Sequence, residues 1–394
     1  MPQNIVEHAS SPFSPGYGRR PLVFGGHEDE LDELTEVYRT LDFGENQSVL
    51  ISGLRGAGKT SMLTMLQDAA LEQGWAVISD DASGGLMERI METTIPALLD
   101  TLEPTSRTQL SGLGIWQFNA QLQYVDRHRQ AKPLLRRDLI ALSEHLRGTG
   151  ILITIDEVSS GKTRLRELSR VALEVSHALR AGANVMIVFA GIKLDLDALL
   201  EHDHTTFLRR SRQLDFRRLT PAQTRHVLEE SIRIGGRRID EDALKQLIAV
   251  SQGYPYLVQL VGDYAWRNTP RAEVISRADA EVAHHKAIIA VQQRVISRVY
   301  QDLSEKDREF MQAMAVDTDR SKVSDLVTRM EVSAQYVQVY KRRLIDTGYV
   351  TSDGHGYVAF SLPYLGEYVR SKDSEPTSAE TNDDWDAFPP PPST

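Results

Sequence analysis

The chain has 394 residues, 41% of them hydrophobic and 25% charged, and it contains no cysteine. The length predicts two or three domains, and the lack of cysteine excludes disulfides and cysteine-ligated zinc or iron–sulfur sites. A net charge of −10 excludes a surface that is basic throughout. Because no apolar run reaches the roughly 18–20 residues of a membrane span and no secretion signal is recognisable, we expect a cytoplasmic protein without membrane contact.

The first half of the chain alternates strand-like and helix-like segments. Residues 1–20, rich in Ser, Pro and Gly, are predicted to form a flexible arm. Short apolar runs typical of strands follow in the order SVLI, WAVIS, ILITI, NVMIVFAG and RQLDF. Strands that alternate with helices indicate a doubly wound α/β fold with a parallel sheet, which we assign to residues 21–218.

Within the first half of the chain, between WAVIS and ILITI, the segment GIWQFNAQLQYV predicts an inserted hairpin.

The second half of the chain has a helical pattern. From residue 219 to 300 we expect an all-α lid, with Thr220 as the N-cap of its first helix and Pro221 in the first turn.

Two further segments complete the chain. Residues 301–370 predict three helices and a strand–turn–strand, the elements of a winged helix-turn-helix. Residues 371–394 contain six acids, one base and the ending FPPPPST, and are predicted to be disordered.

A glycine-rich loop between SVLI and the next helix matches the phosphate-loop pattern G-x-x-x-x-G-K-[ST] in full. Glycines let backbone N–H groups face phosphates, and the lysine reaches the β/γ oxygens. The threonine hydroxyl is a ligand for Mg²⁺. We therefore expect ATP to be bound by this phosphate loop, whose residues are Gly53, Leu54, Arg55, Gly56, Ala57, Gly58, Lys59, Thr60 and Ser61.

Two adjacent carboxylates, Asp156 and Glu157, end the buried run ILITI. Acids at the carboxyl end of a parallel strand lie at the ligand edge of such sheets. Asp156 is predicted to join Thr60 in holding Mg²⁺, and Glu157 to act as the general base on an attacking water. The alternative is that both are solvated residues at a strand end. The acidic pair also favours a sheet in which NVMIVFAG lies between the loop strand and the acidic strand, in the order 5-1-4-3-2.

Together these features resemble the AAA+/STAND group of ATPases, and within it the initiator-like ATPases of the archaeal origin-recognition type. The resemblance covers about residues 20–370, including an FGG-x-E-x-E-L segment from Phe24 to Leu31, the phosphate loop and LITIDE. It implies that Phe24 and Gly25 line the adenine pocket. An ordinary turn before a helix is the alternative for these two residues.

The resemblance also carries expectations about turnover. Arg209 and Arg210 precede the last strand, a position from which an arginine finger meets the γ-phosphate of a neighbouring subunit in this group; the alternative is a solvated basic pair. Gly253-x-Pro255 looks like the STAND lid, in which the proline packs near the nucleotide, although a plain helix stop and start would have the same residues. NVMIVFAG ends without a polar sensor, so we expect slow hydrolysis, with Lys59 and Glu157 as the catalytic pair.

In the winged helix, the segment SAQYVQVYKRRLIDTGYV predicts a recognition helix. Amides suit base edges and Arg or Lys suit phosphates and guanine, so double-stranded DNA is the expected partner. Yet residues 301–370 contain nine Lys/Arg and eleven Asp/Glu, and winged helices also bind proteins. The residues predicted to contact DNA are Gln335, Gln338, Lys341, Arg342, Arg343 and His355.

These patterns favour an ATP-binding, slowly hydrolysing switch that controls DNA binding. One alternative is a STAND-type signalling or defence ATPase whose winged helix contacts a protein or supports self-association. Another is an ATP-dependent scaffold that does not hydrolyse.

Overall fold

The computed structural model of the protein describes residues 10–16, 18–102, 134–146 and 148–373. The hairpin predicted for GIWQFNAQLQYV, and residues 374–394 of the predicted tail, lie outside the described residues. Within the described ranges, every helix is too short or too polar to cross a bilayer.

The α/β core contains one five-stranded parallel sheet with the order β2-β3-β4-β1-β5. Read from the other edge this is 5-1-4-3-2, so the predicted order is confirmed, including the position of NVMIVFAG between the loop strand and the acidic strand. The strands are β1 (Ser48–Gly53), β2 (Ala76–Asp81), β3 (Ile151–Val158), β4 (Val185–Gly191) and β5 (Arg212–Phe216).

Helices cover both faces of this sheet because its central strands are apolar on both sides. In β4, Ile187 and Phe189 pack into one hydrophobic cluster, whereas Met186 and Val188 pack into the cluster on the opposite face. The helices of the core are α1 (Glu28–Thr40), α2 (Lys59–Glu72), α3 (Leu86–Arg89), α4 (Ile95–Leu102), α5 (Leu135–His145), α6 (Lys162–Arg180) and α7 (Lys193–Glu201), with a π-helical turn at Ile90–Thr94 and a 3₁₀ helix at Thr206–Arg210.

The lid is helical, apart from a pair of two-residue strands. Thr220 is the N-cap of α8, and Pro221 is its first helical residue, as the sequence predicts. The backbone N–H of Gln223 donates to the Thr220 hydroxyl, and the backbone N–H of Thr220 donates to the Gln223 side chain. The lid elements are α8 (Pro221–Ile234), β6 (Arg238–Ile239), α9 (Glu241–Ser251), α10 (Pro255–Asn268), β7 (Val274–Ile275) and α11 (Arg277–Val291). A π-helical segment, Gln292–Ile296, joins α11 to α12 without a break.

The C-terminal unit, residues 297–373, combines helices with a three-stranded antiparallel sheet of order β8-β10-β9. The strand β8 is an element that the sequence pattern did not predict, and α16 extends into the segment predicted to be a tail. The elements are α12 (Ser297–Asp302), α13 (Glu305–Ala315), β8 (Arg320–Lys322), α14 (Val323–Met330), α15 (Ala334–Asp346), β9 (Val350–Ser352), β10 (Tyr357–Phe360) and α16 (Leu365–Asp373).

The lid and the C-terminal unit share one hydrophobic cluster, which contains both Leu257 of α10 and Phe310 of α13. Phe13, from the segment predicted to be a flexible arm, joins the same cluster and is only 3% exposed. It fits because Gly262 has no side chain: a Cβ on this glycine would lie 2.5 Å from the Phe13 ring. This part of the predicted arm is therefore packed against the lid, contrary to the expectation of flexibility.

Candidate nucleotide site and C-terminal surface

The phosphate loop connects β1 to α2 and places Lys59 at the start of the helix. The Lys59 ammonium donates hydrogen bonds to the carbonyl oxygens of Gly53 and Leu54, both at 2.8 Å. Gly58 precedes the helix with a φ of 100°, a conformation that favours glycine. The Lys59 side chain thus bonds to the first two residues of its own loop, next to the N-terminus of α2.

The described residues bring the predicted Mg²⁺ ligands together. The Thr60 hydroxyl donates a hydrogen bond to Oδ2 of Asp156 at 2.6 Å, although 96 residues separate the two in sequence. Only β4 lies between β1 and β3, and the carboxyl ends of these parallel strands meet at one edge of the sheet, so the end of β3 lies beside the loop. A hydroxyl beside a carboxylate is a set of hard oxygen donors, which fits a magnesium ion that keeps several waters.

Glu157 lies at an irregularity of β3. The pairing of β3 with β4 shifts register between Ile155 and Val158, and Glu157 has a φ of 52°. Its backbone N–H donates to Oδ1 of Asp156 at 2.7 Å, and its side chain is exposed. A left-handed conformation is uncommon for glutamate and is held here by the surrounding strand. The bulge therefore presents the predicted general base to solvent immediately beside Asp156.

Charges around the loop perturb Lys59. Burial lowers the pKa of Lys59 to about 8, an effect that the carboxylates of Asp156 and Glu157 oppose and that the cation Arg55 reinforces. Burial thus makes the charged form of Lys59 costly, and a bound anion would offset this cost. The site is therefore short of negative charge.

The lid contacts the tip of the phosphate loop directly. The Tyr254 hydroxyl donates to the carbonyl oxygen of Arg55, and the backbone N–H of Tyr256 donates to the carbonyl oxygen of Gly56 at 3.2 Å. Gly56 has a φ of 73°, and a Cβ there would lie 3.0 Å from the Cβ of Tyr256. Burial raises the pKa of Tyr254 far above its usual range. Pro255, the predicted residue, lies between these two tyrosines as the first residue of α10.

Sequence reasoning identified Pro255 but missed Tyr254 and Tyr256. The available signal was their position: two aromatic residues flank the proline that starts α10.

The segment that begins at Phe24 lies between β5 and the lid. The rings of Phe24 and Phe216 are 6.4 Å apart, and the His27 imidazole stacks on Phe216 at 3.9 Å. A Cβ on Gly25 would lie 2.5 Å from Val227 of α8. Phe216 also borders the loop, because a Cβ on Gly53 would lie 2.8 Å from its carbonyl oxygen. The residues predicted to line an adenine pocket therefore lie near the base of the phosphate loop, where the lid meets the core.

The two arginines predicted as a finger lie on the 3₁₀ helix before the edge strand β5. Both are exposed, and Nε of Arg209 donates to the carbonyl oxygen of Leu200 at 3.2 Å. Among the described residues, neither Arg209 nor Arg210 bonds to the phosphate loop of its own chain. Their place in catalysis stays a prediction.

The predicted DNA-contacting residues are divided between exposed and engaged positions. On α15, Gln335, Gln338 and Arg342 are exposed, opposite the buried Val337 and Leu344. Nε of Arg342 lies 3.8 Å from Asp346, a spacing too long for a strong bond.

The remaining three predicted residues differ from one another. Lys341 is half-buried, and His355 is exposed in the turn between β9 and β10. Arg343 instead pairs with Asp307 at 3.0 Å, and the Asp307 side chain is 2% exposed. Arg343 therefore neutralises a buried carboxylate inside the C-terminal unit.

The C-terminal unit also contacts the phosphate loop. Gly348, just after α15, has a φ of 82°, and a Cβ there would lie 2.6 Å from Cδ2 of Leu54. Beside it, burial raises the pKa of Tyr349, and the nearby cation Arg55 opposes this rise. The turn that follows α15 therefore packs on the same loop that the lid contacts. Nothing in the sequence pattern indicated this contact.

Two further contacts fix the unit to its neighbours. Nε of Arg218, between β5 and the lid, donates to the carbonyl oxygen of Ser361 at 3.0 Å. The Tyr364 hydroxyl donates to the carbonyl oxygen of Val250 in α9 at 2.8 Å. Both contacts leave the outward face of α15 exposed.

A phosphate loop that faces an acidic strand end, on a sheet of order 5-1-4-3-2, defines the core of a P-loop ATPase. In agreement with this fold, residues 23–189 match the family described as AAA ATPase domain. The first half of the chain is therefore similar to an AAA ATPase domain. Residues 293–369 match a second family, described as a domain of unknown function, DUF8462. No curated protein is similar enough in sequence to count as a match.

Solved structures with the same architecture span almost the whole chain. A Walker-type ATPase of Pyrococcus abyssi has a TM-score of 0.65 at 15% identity, over 90% of this chain and 97% of that one. The ORC2 protein of Aeropyrum pernix, in ADPNP–ADP complexes, has a TM-score of 0.57 at 14% identity, over 92% of this chain and 98% of that one. At these identities the likenesses show a shared fold, and they confirm the predicted P-loop α/β fold.

We predict that nucleotide affinity falls as the pH rises above about 8, because the free protein then loses the Lys59 proton that the phosphates require. The dissociation constant of ADP, measured from pH 7 to 9.5, is expected to rise by up to about tenfold per pH unit above that value. Calorimetry in buffers of different ionisation enthalpy should detect proton uptake on binding at pH 9. Binding at pH 9 without proton uptake would contradict the prediction, and Lys59→Ala is the control that removes the titrating group.

Proposed function

We propose that this protein is an ATP-binding and hydrolysing molecular switch that controls the contact of its C-terminal unit, a winged helix, with double-stranded DNA. The observation that carries the proposal is the crowding at the loop tip: the lid packs on Gly56 and the turn after α15 packs on Leu54. A change in the conformation of the phosphate loop on nucleotide binding would therefore alter its contacts with both the lid and the C-terminal unit. A ligand shifts a conformational equilibrium by its different affinity for the two states. We propose that nucleotide binds differently to states in which these contacts on the loop differ.

For the chemistry, we propose that Thr60 and Asp156 hold Mg²⁺ and that Lys59 contacts the β/γ-phosphates. Bound Mg²⁺ would supply charge neutralisation for the transferring phosphoryl group. The Glu157 carboxylate, exposed beside Asp156, accepts a proton from the attacking water.

We expect turnover to be slow, for two reasons. The end of β4 carries Ala190 and Gly191, both buried, where a polar group that orients the water would otherwise stand. Arg209 and Arg210 are exposed and unbonded to the loop of their own chain, so an arginine finger would require self-association.

Turnover tests the ATPase part of the proposal. In Glu157→Gln, phosphate release should fall by roughly 10²–10⁴-fold, the usual contribution of a general base, while ATP is still bound. In Lys59→Ala, nucleotide binding itself should fail, because the cation facing the phosphates is gone. The assigned base is wrong if Glu157→Gln turns over ATP at the wild-type rate. The ATP-binding proposal is wrong if the wild-type protein binds no nucleotide.

The DNA part of the proposal rests on the shape and exposure of the C-terminal unit. Its three-stranded sheet and the helices α13, α14 and α15 have the order of a winged helix, and α15 presents Gln335, Gln338 and Arg342 to solvent. A recognition helix of this kind enters the major groove with its N-terminal residues against base edges. The exposed turn that contains His355 would then lie near the backbone.

Basic residues of α15 that differ in structural role allow a matched test. The double variant Lys341→Ala/Arg342→Ala should lose DNA retention at ~50 mM salt, where phosphate contacts are strongest. The matched variant Arg343→Ala should instead lower thermal stability, because it leaves the buried Asp307 carboxylate without its cation. Retention would be measured by fluorescence anisotropy with random-sequence duplex, and stability by thermal unfolding. No retention by the wild-type protein at ~50 mM salt, with or without ATP, contradicts the DNA proposal.

A steric test separates the switch from simple DNA binding. In Gly348→Ala the added methyl group overlaps Cδ2 of Leu54, so the contact between the turn after α15 and the phosphate loop should change and the ATP dependence of DNA retention should weaken. Gly182→Ala is the matched control, because Gly182 has a similar φ of 88° and an added Cβ meets nothing within 4 Å. Both variants bear the same kind of backbone strain, and only one has the collision.

A second substitution checks the cause of that effect. Adding Leu54→Ala to Gly348→Ala removes the methyl groups that collide, so ATP dependence should return to the level of Leu54→Ala alone. The switch proposal is contradicted if Gly348→Ala retains DNA with the same ATP dependence as Gly182→Ala.

One observation favours a second candidate, a STAND-type signalling ATPase whose winged helix contacts a protein. Residues 301–370 have more acids than bases, and Arg343 is already engaged with Asp307. If the wild-type protein retains no duplex in the experiment above, we expect the C-terminal unit to bind a protein instead of DNA.

A further inference from the structure

The outward face of α15 consists of four residues: Gln335, Gln338, Val339 and Arg342. At 100° per residue these positions lie within about 100° of one another, on the side of the helix opposite the buried Val337. All four are exposed, and they span about two turns. The face therefore combines two amides, one branched apolar group and one guanidinium.

Val339 is the unusual member of this face. It is 60% exposed, whereas nearly every other valine in the described part of the chain is buried or half-buried. Valine is a poorer helix former than the straight-chain residues, so intrinsic propensity does not explain it at an exposed helical position. Its methyl groups are therefore available to a partner that contacts this face.

The charges of the face suit a nucleic-acid groove. From Ala334 to Ile345 the helix contains no acid, although the C-terminal unit as a whole is slightly acidic. The nearest acids in sequence are Glu331 before the helix and Asp346 at its last residue. Two turns free of carboxylates can approach phosphates without repulsion, which a surface of average composition in this unit could not.

We infer that the outward face of α15 recognises A·T base pairs in the major groove, with the glutamine amides on adenine and the Val339 methyl groups on the C5-methyl group of thymine. The inference rests on the proposed DNA contact and adds to it a sequence class. An amide pairs bidentately with N6 and N7 of adenine, and an apolar side chain contacts the thymine methyl group. Gln335 and Arg342 are seven residues apart, or about 10 Å along the axis, which corresponds to roughly three base pairs.

The experiment first selects bound duplexes from a random library at ~50 mM salt with saturating ATP, and then measures single sites. We expect an enriched motif with adjacent A·T pairs. Replacing the contacted thymine by uracil removes one methyl group and leaves the pairing groups intact. It should weaken binding by about fourfold, equivalent to the ~0.8 kcal/mol of one buried methyl group.

The variants assign that effect to a residue. Val339→Ala should bind the thymine and uracil duplexes equally, whereas Val316→Ala, a similarly exposed valine outside α15, should keep the difference. Gln338→Ala should reduce the preference for adenine by about fivefold or more, the lower end of what a bidentate pair contributes.

The outcomes separate this inference from the proposed function. If the wild-type protein retains no duplex under these conditions, the proposed DNA contact fails, and the inference fails with it. If duplex is retained but no A·T motif is enriched, the inference is overturned and the DNA contact stands. The same holds if uracil binds as well as thymine to the wild-type protein, or if Val339→Ala still distinguishes the two.

Discussion

The phosphate loop is closely packed against other parts of the chain at three positions along its length. At Gly53 the limit is the backbone of β5, at Gly56 it is the two tyrosines of α10, and at Leu54 it is the turn around Gly348. The glycines of a phosphate loop are usually explained by their approach to phosphate. Here the same residues also allow a close approach of protein to protein. Nucleotide chemistry and domain arrangement therefore depend on one stretch of backbone.

One hydrophobic cluster runs through both the lid and the C-terminal unit, the two parts that contact this loop. Separating them would expose residues such as Leu257 and Phe310, so the two parts are expected to move as a body rather than independently. The hydrogen bond from Tyr364 to Val250 strengthens the same connection. A displacement that begins at Tyr254 would accordingly reach α15 with little loss.

Sequence reasoning predicted the features that depend on residues close together in the sequence. Apolar runs gave the five strands, the motif gave Lys59 and Thr60, and Thr220 with Pro221 gave the start of α8. The position of Asp156 followed from the geometry of parallel sheets. The features it missed depend on residues far apart in sequence: Tyr254 with Arg55, Gly348 with Leu54, and Arg343 with Asp307. The periodicity of a sequence does not indicate which distant residues form such pairs. The packing of Phe13 could not be predicted for the same reason, because its partner Gly262 has the sequence pattern of an ordinary helical glycine.

The uninterrupted helix from Arg277 to Asp302 has a consequence for how this chain can change shape. Its π-helical segment, Gln292–Ile296, includes residue 293, where the second family match begins, so the second matched part is joined to the lid by a continuous helix and not by a loose linker. A π turn holds one residue more than an α turn and can pass along a helix by exchange of backbone hydrogen bonds. Such a shift would rotate everything beyond it by roughly 100° per residue about the helix axis while advancing it by only about 1.5 Å. Because one hydrophobic cluster runs through the lid and the C-terminal unit, it opposes such a rotation, and the continuous helix keeps the C-terminal unit in a fixed orientation to the lid.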